Sequence, residues 1–151
     1  MRKTVLIVLL ISVSFTLTAG DEFCTLRNAS FSAGENITMI VYYNALGLYL
    51  NAGTANFTVT TERLNNKPVY HLVGTGVTNS KYDFIFKVRD RYESYIDTIN
   101  LQPYKFIRNV DEGGYKKYEN VTFNHAANTA ITTNGVYKVP SCIQDVVSAM
   151  Y

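Results

Sequence analysis

The chain has 151 residues, a formal net charge of +2, two cysteines and no tryptophan. Arg2 and Lys3 account for that charge, so the rest of the chain is close to neutral and offers no basic stripe for nucleic acid. Once residues 1–20 are set aside, about 130 residues remain, which is enough for one domain with one hydrophobic core and too few for two. Nucleic-acid binding and a second domain are therefore excluded.

Residues 1–20 have the pattern of a secretory signal peptide. A basic start is followed by an apolar stretch, residues 5–17, and by the small residues Thr18-Ala19-Gly20, which predict cleavage just before Asp21. An uncleaved anchor is the alternative, but the apolar stretch is shorter than the roughly 20 residues of a membrane span and contains several hydroxyl groups. Cys24 does not follow the cleavage site directly, so a lipid-anchored protein is not expected. We predict an exported chain that is not an integral membrane protein after cleavage.

The two cysteines, Cys24 and Cys142, lie near the two ends of the predicted mature chain. In an oxidising compartment such a pair predicts a disulfide, with two buried thiols as the alternative. A catalytic cysteine would need a histidine base, and the sequence places neither His71 nor His125 in that role. The histidines also lack Asp or Cys at ligand spacing, so no metal site and no cofactor are predicted.

Strand signals dominate residues 35–139, which predicts a mainly β domain. Apolar and polar residues alternate in residues 55–60 and 119–124, as in strands with one dry and one wet face. Tight turns at Asn65-Asn66, Glu112-Gly113-Gly114 and Asn134-Gly135 predict an antiparallel meander. The Leu48–Leu64 segment has the pattern of one strand that must curve, and Gly53, Gly74 and Gly76 are the glycines at which the sheet is expected to bend.

Two segments are predicted to be helical. The apolar residues of the 80–87 segment fit neither the helical nor the strand period cleanly, and the segment is expected to form a short helix or an irregular corner. Ser141 and Gln144 have the spacing of a capping box, which predicts a C-terminal helix with one apolar face, formed by Ile143, Val146, Val147 and Met150. That face is still apolar at Tyr151, so we expect residues 21–151 to be a single β-rich domain truncated at its C-terminal helix.

Several strings of residues resemble a known family. They are Ala33-Gly34-Glu35, Tyr42-Tyr43, residues 51–55, residues 86–97, Val121-Thr122-Phe123 and residues 142–149. These strings are similar to those of the DUF3108 family of exported bacterial proteins, which is common in Bacteroidetes. The resemblance implies a location in the periplasm or cell envelope, and a longer protein of which this chain is the N-terminal part. It brings no settled activity and no catalytic residues.

The predicted architecture is a curved antiparallel β-meander or half-open β-barrel, with the C-terminal helix across or beside its concave face. A curved sheet with an apolar interior can hold a ligand, and lipids are the abundant apolar ligands of the cell envelope. The leading hypothesis is therefore a non-enzymatic protein that binds a lipid or another amphiphile. The candidate ligand-binding residues are Phe57, Val59, Tyr92 and Tyr95.

Two other functions stay open at this point. In the first, the protein is a glycan hydrolase whose acid and base are carboxylates among Asp90, Glu93 and Asp97, although alternation puts Asp90 on the opposite strand face from the other two. In the second, an exposed sheet edge pairs with another envelope protein.

Overall fold

A computed structural model describes Cys24 and residues 27–45 and 47–151, so the predicted signal peptide, residues 1–20, lies outside the described part of the chain. Eight strands dominate the described residues. They are β1 (Asn36–Ala45), β2 (Leu48–Leu64), β3 (Lys67–Thr78), β4 (Arg89–Asp97), β5 (Pro103–Glu112), β6 (Tyr115–Asn124), β7 (Thr129–Thr132) and β8 (Gly135–Lys138).

The eight strands form one antiparallel sheet in which each strand pairs with the next in sequence. The predicted mainly β meander is thus confirmed, and β2 has the bounds expected from the sequence. Within the described residues β1 and β8 each pair on one side only, so the sheet is open.

Two of the predicted turns have the backbone that primed hairpin turns require. Asn65 and Asn66 have φ of 50° and 65°, and Gly113 and Gly114 have φ of 57° and 92°. Asparagine and glycine tolerate this left-handed region better than other residues, so these turns set the registers of β2 with β3 and of β5 with β6.

One face of the sheet, here called the inner face, carries the hydrophobic core. Val59 of β2 aligns with Leu72 of β3, which aligns with Ser94 of β4 and then with Phe106 of β5. Val59, Leu72 and Ser94 are fully buried. The opposite face, the outer face, carries mostly polar and charged side chains of the same strands.

The two ends of the described chain cover the inner face. Phe31 from the N-terminal side and Val147 from the C-terminal side belong to the buried core. The rings of Phe31 and Tyr151 meet edge to face with centroids 5.1 Å apart. A disulfide joins Cys24 to Cys142, with Cα atoms 5.0 Å apart, which confirms the predicted pairing.

The predicted C-terminal helix is wrong. Residues 139–151, here called the C-terminal segment, are irregular and contain only a single 3₁₀ turn, Ser148–Met150. Cys142 has a φ of 61°, which no α-helix accommodates. Asp145 orders this segment instead: its Oδ1 accepts hydrogen bonds from the backbone N–H of Val147 at 2.8 Å and of Ser148 at 3.0 Å.

The predicted short helix at residues 80–87 is also reduced to one 3₁₀ turn, Ser80–Tyr82. Asn79 ends the extended chain and its side chain accepts a hydrogen bond from the N–H of Lys81 at 3.1 Å. The chain then passes through Phe84, Ile85 and Phe86, whose side chains are exposed. The sequence pattern of residues 80–87 fits neither a helix nor a strand, and the chain here follows the irregular corner that was the alternative to a helix.

Candidate functional site

A cavity of about 580 Å³ lies on the inner face between the sheet and the C-terminal segment. Its apolar walls are Ala55, Phe57, Phe106, Val146, Val147 and Met150. Its polar residues are Thr75, Asp90, Tyr92, Arg108, Glu119 and Asp145. This volume falls in the range of small-molecule binding sites, which are mostly apolar with a few polar groups that orient the ligand.

The cavity exists because two residues of its floor have no side chain. A Cβ on Gly74 would lie only 3.1 Å from the Phe57 ring, so this glycine leaves room for the ring to pack over β3. A Cβ on Gly76 would meet only the Asp90 Cβ, at 3.9 Å, so the space above Gly76 is open. Gly74 and Gly76 were predicted as places where the sheet bends, and here they leave room above β3.

Arg108 anchors the polar end of the cavity. Its Nη2 lies 2.6 Å from Glu119 Oε2, and Lys117 Nζ lies 2.6 Å from Glu119 Oε1. The hydrogen bond from Lys117, supported by Arg108, lowers the pKa of Glu119 below its ordinary value. Arg108 Nε is buried without a hydrogen-bond partner among the described residues. A ligand oxygen or a water molecule in the cavity would satisfy this donor.

Three further titratable groups meet beside Arg108. Burial, together with the charges of Asp90 and Glu112, raises the pKa of Tyr92, so its hydroxyl stays protonated. Hydrogen bonding to Asp90, and the charge of that carboxylate, raise the pKa of Glu112. Asp90 also accepts a hydrogen bond from the backbone N–H of Asp111 at 3.2 Å. The polar end therefore offers both donors and acceptors to a ligand headgroup.

Asp145 attaches the C-terminal segment to the sheet. Its Oδ2 accepts a hydrogen bond of 2.6 Å from the hydroxyl of Ser94, and both residues are buried. Burial raises the pKa of Asp145, although the hydrogen bonds from Ser94 and from the backbone of residues 147 and 148 oppose that rise. This contact holds Val146 and Val147 in the cavity wall.

The raised pKa of Asp145 predicts a pH-dependent contribution to stability. Between the ordinary pKa of 3.8 and the raised folded-state pKa, the folded protein binds more protons at this site than the unfolded chain. The contribution is therefore complete below pH 3.8 and is lost as the pH rises through the folded-state pKa of this carboxyl. Urea unfolding of the wild type and of Asp145→Asn, measured across this pH range, should show the wild type losing stability relative to the variant. A difference that does not vary with pH would contradict this prediction.

A second cavity, of about 300 Å³, extends the first towards the edge strand β1. Ile37 and Met39 of β1 line it, and it shares Phe57 and Met150 with the larger cavity. The two cavities together are here called the groove. Its end at β1 is mainly apolar, with Ser30 and Glu35 as the polar residues there, and its other end is polar at Arg108.

A family model described as "Protein of unknown function (DUF3108)" matches residues 38–151, which include most of the sheet and the whole C-terminal segment. The chain belongs to the DUF3108 family. No curated protein and no solved structure matches it. The family brings no activity to this DUF3108 protein, and the groove is its candidate functional site.

The four residues predicted to bind a ligand lie in three different places. Phe57 and Tyr92 line the larger cavity. Val59 is fully buried in the core beside it. Tyr95 lies on the outer face, where its ring stacks on His71 with centroids 4.2 Å apart. Sequence reasoning missed Arg108, Glu119 and Asp145, because only the strand register and the path of the C-terminal segment bring them together.

The structure does not bring the three candidate catalytic carboxylates together. Asp90 faces the groove, while Glu93 and Asp97 lie on the outer face. Asp97 accepts hydrogen bonds from the backbone N–H of Ile99 at 2.7 Å and from the hydroxyl of Tyr104, which order the turn after β4. Glu93 is part of a separate cluster around His71.

In the outer-face cluster, His71 lies between two carboxylates. Its Nδ1 is 2.8 Å from Glu62 and its Nε2 is 2.8 Å from Glu93, which also accepts a hydrogen bond from Arg91. Burial raises the pKa of Glu93, but the hydrogen bonds from Arg91 and His71 outweigh it, so the pKa lies below its ordinary value. An imidazolium would donate to both carboxylates at once. The cluster ties β2, β3 and β4 together and lies on the other side of the sheet from the groove.

The other histidine, His125, lies 2.7 Å from the carbonyl oxygen of Pro103 through its Nε2. Among the described residues, no group of three or more His, Cys, Asp or Glu side chains is arranged to hold a metal ion. Over the same part of the chain, none of the helices has the length and hydropathy that crossing a bilayer requires.

Proposed function

We propose that this DUF3108 protein binds an amphiphilic molecule, such as a lipid, in the groove on its inner face. The observation that carries the proposal is the uneven polarity of the groove. Ile37, Met39 and Phe57 make the end at β1 mainly apolar, although Glu35 also lines it, and Arg108 and Tyr92 make the other end polar. An acyl chain along the end at β1 would be shielded from water. Each buried CH₂ would contribute roughly 0.8 kcal/mol to the free energy of binding. A headgroup at the other end would meet the unpaired Arg108 Nε.

The proposed site of action is the periplasm or cell envelope. The signal-peptide pattern of residues 1–20 and the Cys24–Cys142 disulfide both support export to an oxidising compartment. Lipids and lipid-modified molecules are available there. Of the three carboxylates considered for glycan hydrolysis, Asp90 lines the groove, while Glu93 and Asp97 lie on the outer face. This separation favours binding without catalysis over that hydrolase hypothesis.

Filling the space above Gly76 should abolish most of this binding. The floor can take a side chain here without a backbone clash, so Gly76→Leu should place its side chain in the cavity and leave the sheet intact. We expect the affinity for the apolar fluorophore N-phenyl-1-naphthylamine to fall at least about tenfold, equivalent to about 1.4 kcal/mol. Fluorescence titration of the purified, disulfide-bonded protein measures this change.

Thr54→Leu is the matched control. Thr54 is exposed on the neighbouring strand β2 and precedes Ala55, so alternation points it to the outer face. This variant should bind the fluorophore as the wild type does. The proposal fails if the wild type shows no saturable binding, or if Gly76→Leu binds as well as Thr54→Leu. Native mass spectrometry of protein purified from the periplasm would identify the class of any molecule that stays bound.

A further inference from the structure

The β1–β2 hairpin extends past the rest of the sheet. β2 pairs with β1 as far as Leu48, but with β3 only from Gly53 onwards. The last link to β3 is made by Asn79, whose N–H donates to the carbonyl oxygen of Ala52 at 2.8 Å. Residues 42–45 and 47–50, here called the ribbon tip, therefore project from the sheet as a two-stranded ribbon. The three residues of β2 in it, 48–50, span roughly 10 Å along the strand, and this length is the reach of the ribbon.

Both faces of the ribbon tip carry exposed apolar side chains. Tyr43 pairs with Leu50, and Leu48 lies on the same face. Tyr42 and Tyr49 lie on the other face. Tyr49 is 74% exposed and Leu48 is 66% exposed. A protein surface that packed on one of these faces would leave the other in water, whereas a lipid bilayer surrounds a projecting tip on all sides.

A second apolar group lies at the same end of the sheet. Residues 79–88 leave β3 beside the ribbon, since the Asn79 side chain also donates to the carbonyl oxygen of Asn51 at 3.4 Å. This corner presents Phe84 and Ile85, which are 84% and 69% exposed. Two separate elements therefore expose large apolar side chains at one end of the molecule, an arrangement typical of an interaction site.

The charge pattern favours a bilayer as the partner. Residues 36–61 contain no charged side chain, although 17% of the whole chain is charged. Natural edge strands usually carry charges that prevent association, and here they are absent. Tyrosine is preferred at the headgroup level of membranes, and leucine is favoured in the hydrocarbon region. The corner also carries Lys81 and Lys87, which suit the phosphate layer, and its one carboxylate, Asp83, forms an ion pair with Arg89 at 2.6 Å.

We propose that the ribbon tip and the corner of residues 79–88 form a membrane-docking surface. The reach of the ribbon fits the roughly 5–10 Å depth at which interfacial segments lie between headgroups and acyl chains. Deeper insertion is excluded, because the outer edges of a two-stranded ribbon have backbone groups that hydrocarbon would leave without hydrogen bonds. The proposal is independent of ligand binding in the groove.

The absence of tryptophan from the sequence allows a direct test. Tyr49→Trp places a sole tryptophan at the ribbon tip, and Ile99→Trp places one in the turn after β4, at the opposite end of the sheet, where Ile99 is 77% exposed. The disulfide-bonded protein is mixed with phosphatidylcholine vesicles that contain bromine-labelled acyl chains. We expect the emission of Tyr49→Trp to shift to the blue and to be quenched, while Ile99→Trp does not change.

A flotation assay with the same vesicles provides the second readout. Leu48→Glu combined with Phe84→Glu should prevent flotation, while Ile99→Glu should float as the wild type does. The proposal is overturned if Tyr49→Trp emission does not respond to vesicles, or if Ile99→Trp responds equally. It is also overturned if Tyr49→Trp shifts with protein concentration alone and light scattering finds a dimer, because a second copy then covers the tip.

Discussion

Replacing both cysteines, as Cys24→Ser with Cys142→Ser, is expected to lower the free energy of unfolding by about 4 to 5 kcal/mol. The disulfide spans a sequence separation of 118 residues and so encloses nearly all of the predicted mature chain. Without the covalent link the unfolded chain gains conformational entropy, which favours unfolding. Urea unfolding with linear extrapolation measures the difference.

The same variant should loosen the cover of the inner face. Phe31 lies a few residues after Cys24 in the chain, and Val147 a few residues after Cys142. Both belong to the core, so the disulfide holds the two covering segments together. Wild-type protein treated with a reductant is the control and should reproduce the loss of stability without any substitution. A loss below about 1 kcal/mol in both cases would mean that burial of Phe31 and Val147 holds the two ends in place without the covalent link.

Gly53→Ala and Gly76→Ala are expected to differ sharply in their effect on stability. A Cβ on Gly53 would overlap the carbonyl oxygen of Val77, which is backbone of the paired strand. The two strands would have to separate, at a cost of about 1–3 kcal/mol or more. A Cβ on Gly76 meets no atom closer than 3.9 Å, so the alanine should be neutral or should stabilise by up to about 1 kcal/mol.

Each of these two variants is the control for the other, because both glycines lie in long paired strands and both gain the same methyl group. Chemical denaturation of the two variants beside the wild type gives both values. Equal effects at the two positions would show that the close approach of β2 and β3 at Gly53 does not limit the fold, and that general strand propensity dominates.

The strands and turns were predictable because they are encoded locally. Alternation in residues 55–60 and the positive-φ turn at Asn65-Asn66 define one dry face, and a slip by one residue would turn Val59 and Leu72 out of the core. The candidate site was only half predictable. Phe57 and Tyr92 were identified as apolar and aromatic residues of curved strands, but the partners of Arg108 depend on which residue of β6 lies opposite β5.

The C-terminal segment shows why local patterns failed. Ser141 and Gln144 have capping-box spacing, yet Cys142, tied to Cys24, adopts the left-handed region, and the buried hydrogen bond from Ser94 to Asp145 directs the next residues onto the sheet. Contacts with residues distant in sequence outweighed a helix propensity worth only a fraction of a kcal/mol per residue. Three of the four apolar residues that predicted a helical face, Val146, Val147 and Met150, line the groove instead.

For this DUF3108 protein, the sequence by itself determined the antiparallel meander, the turns at Asn65-Asn66 and Gly113-Gly114 and the cysteine pair, because each depends on a short-range pattern or on a single available partner. Only the tertiary structure decided that Arg108, Glu119 and Asp145 meet at one cavity, that Gly76 leaves its floor open, and that the ribbon tip projects. These features depend on strand register and on where β3 stops pairing with β2, which are set by packing across the whole sheet.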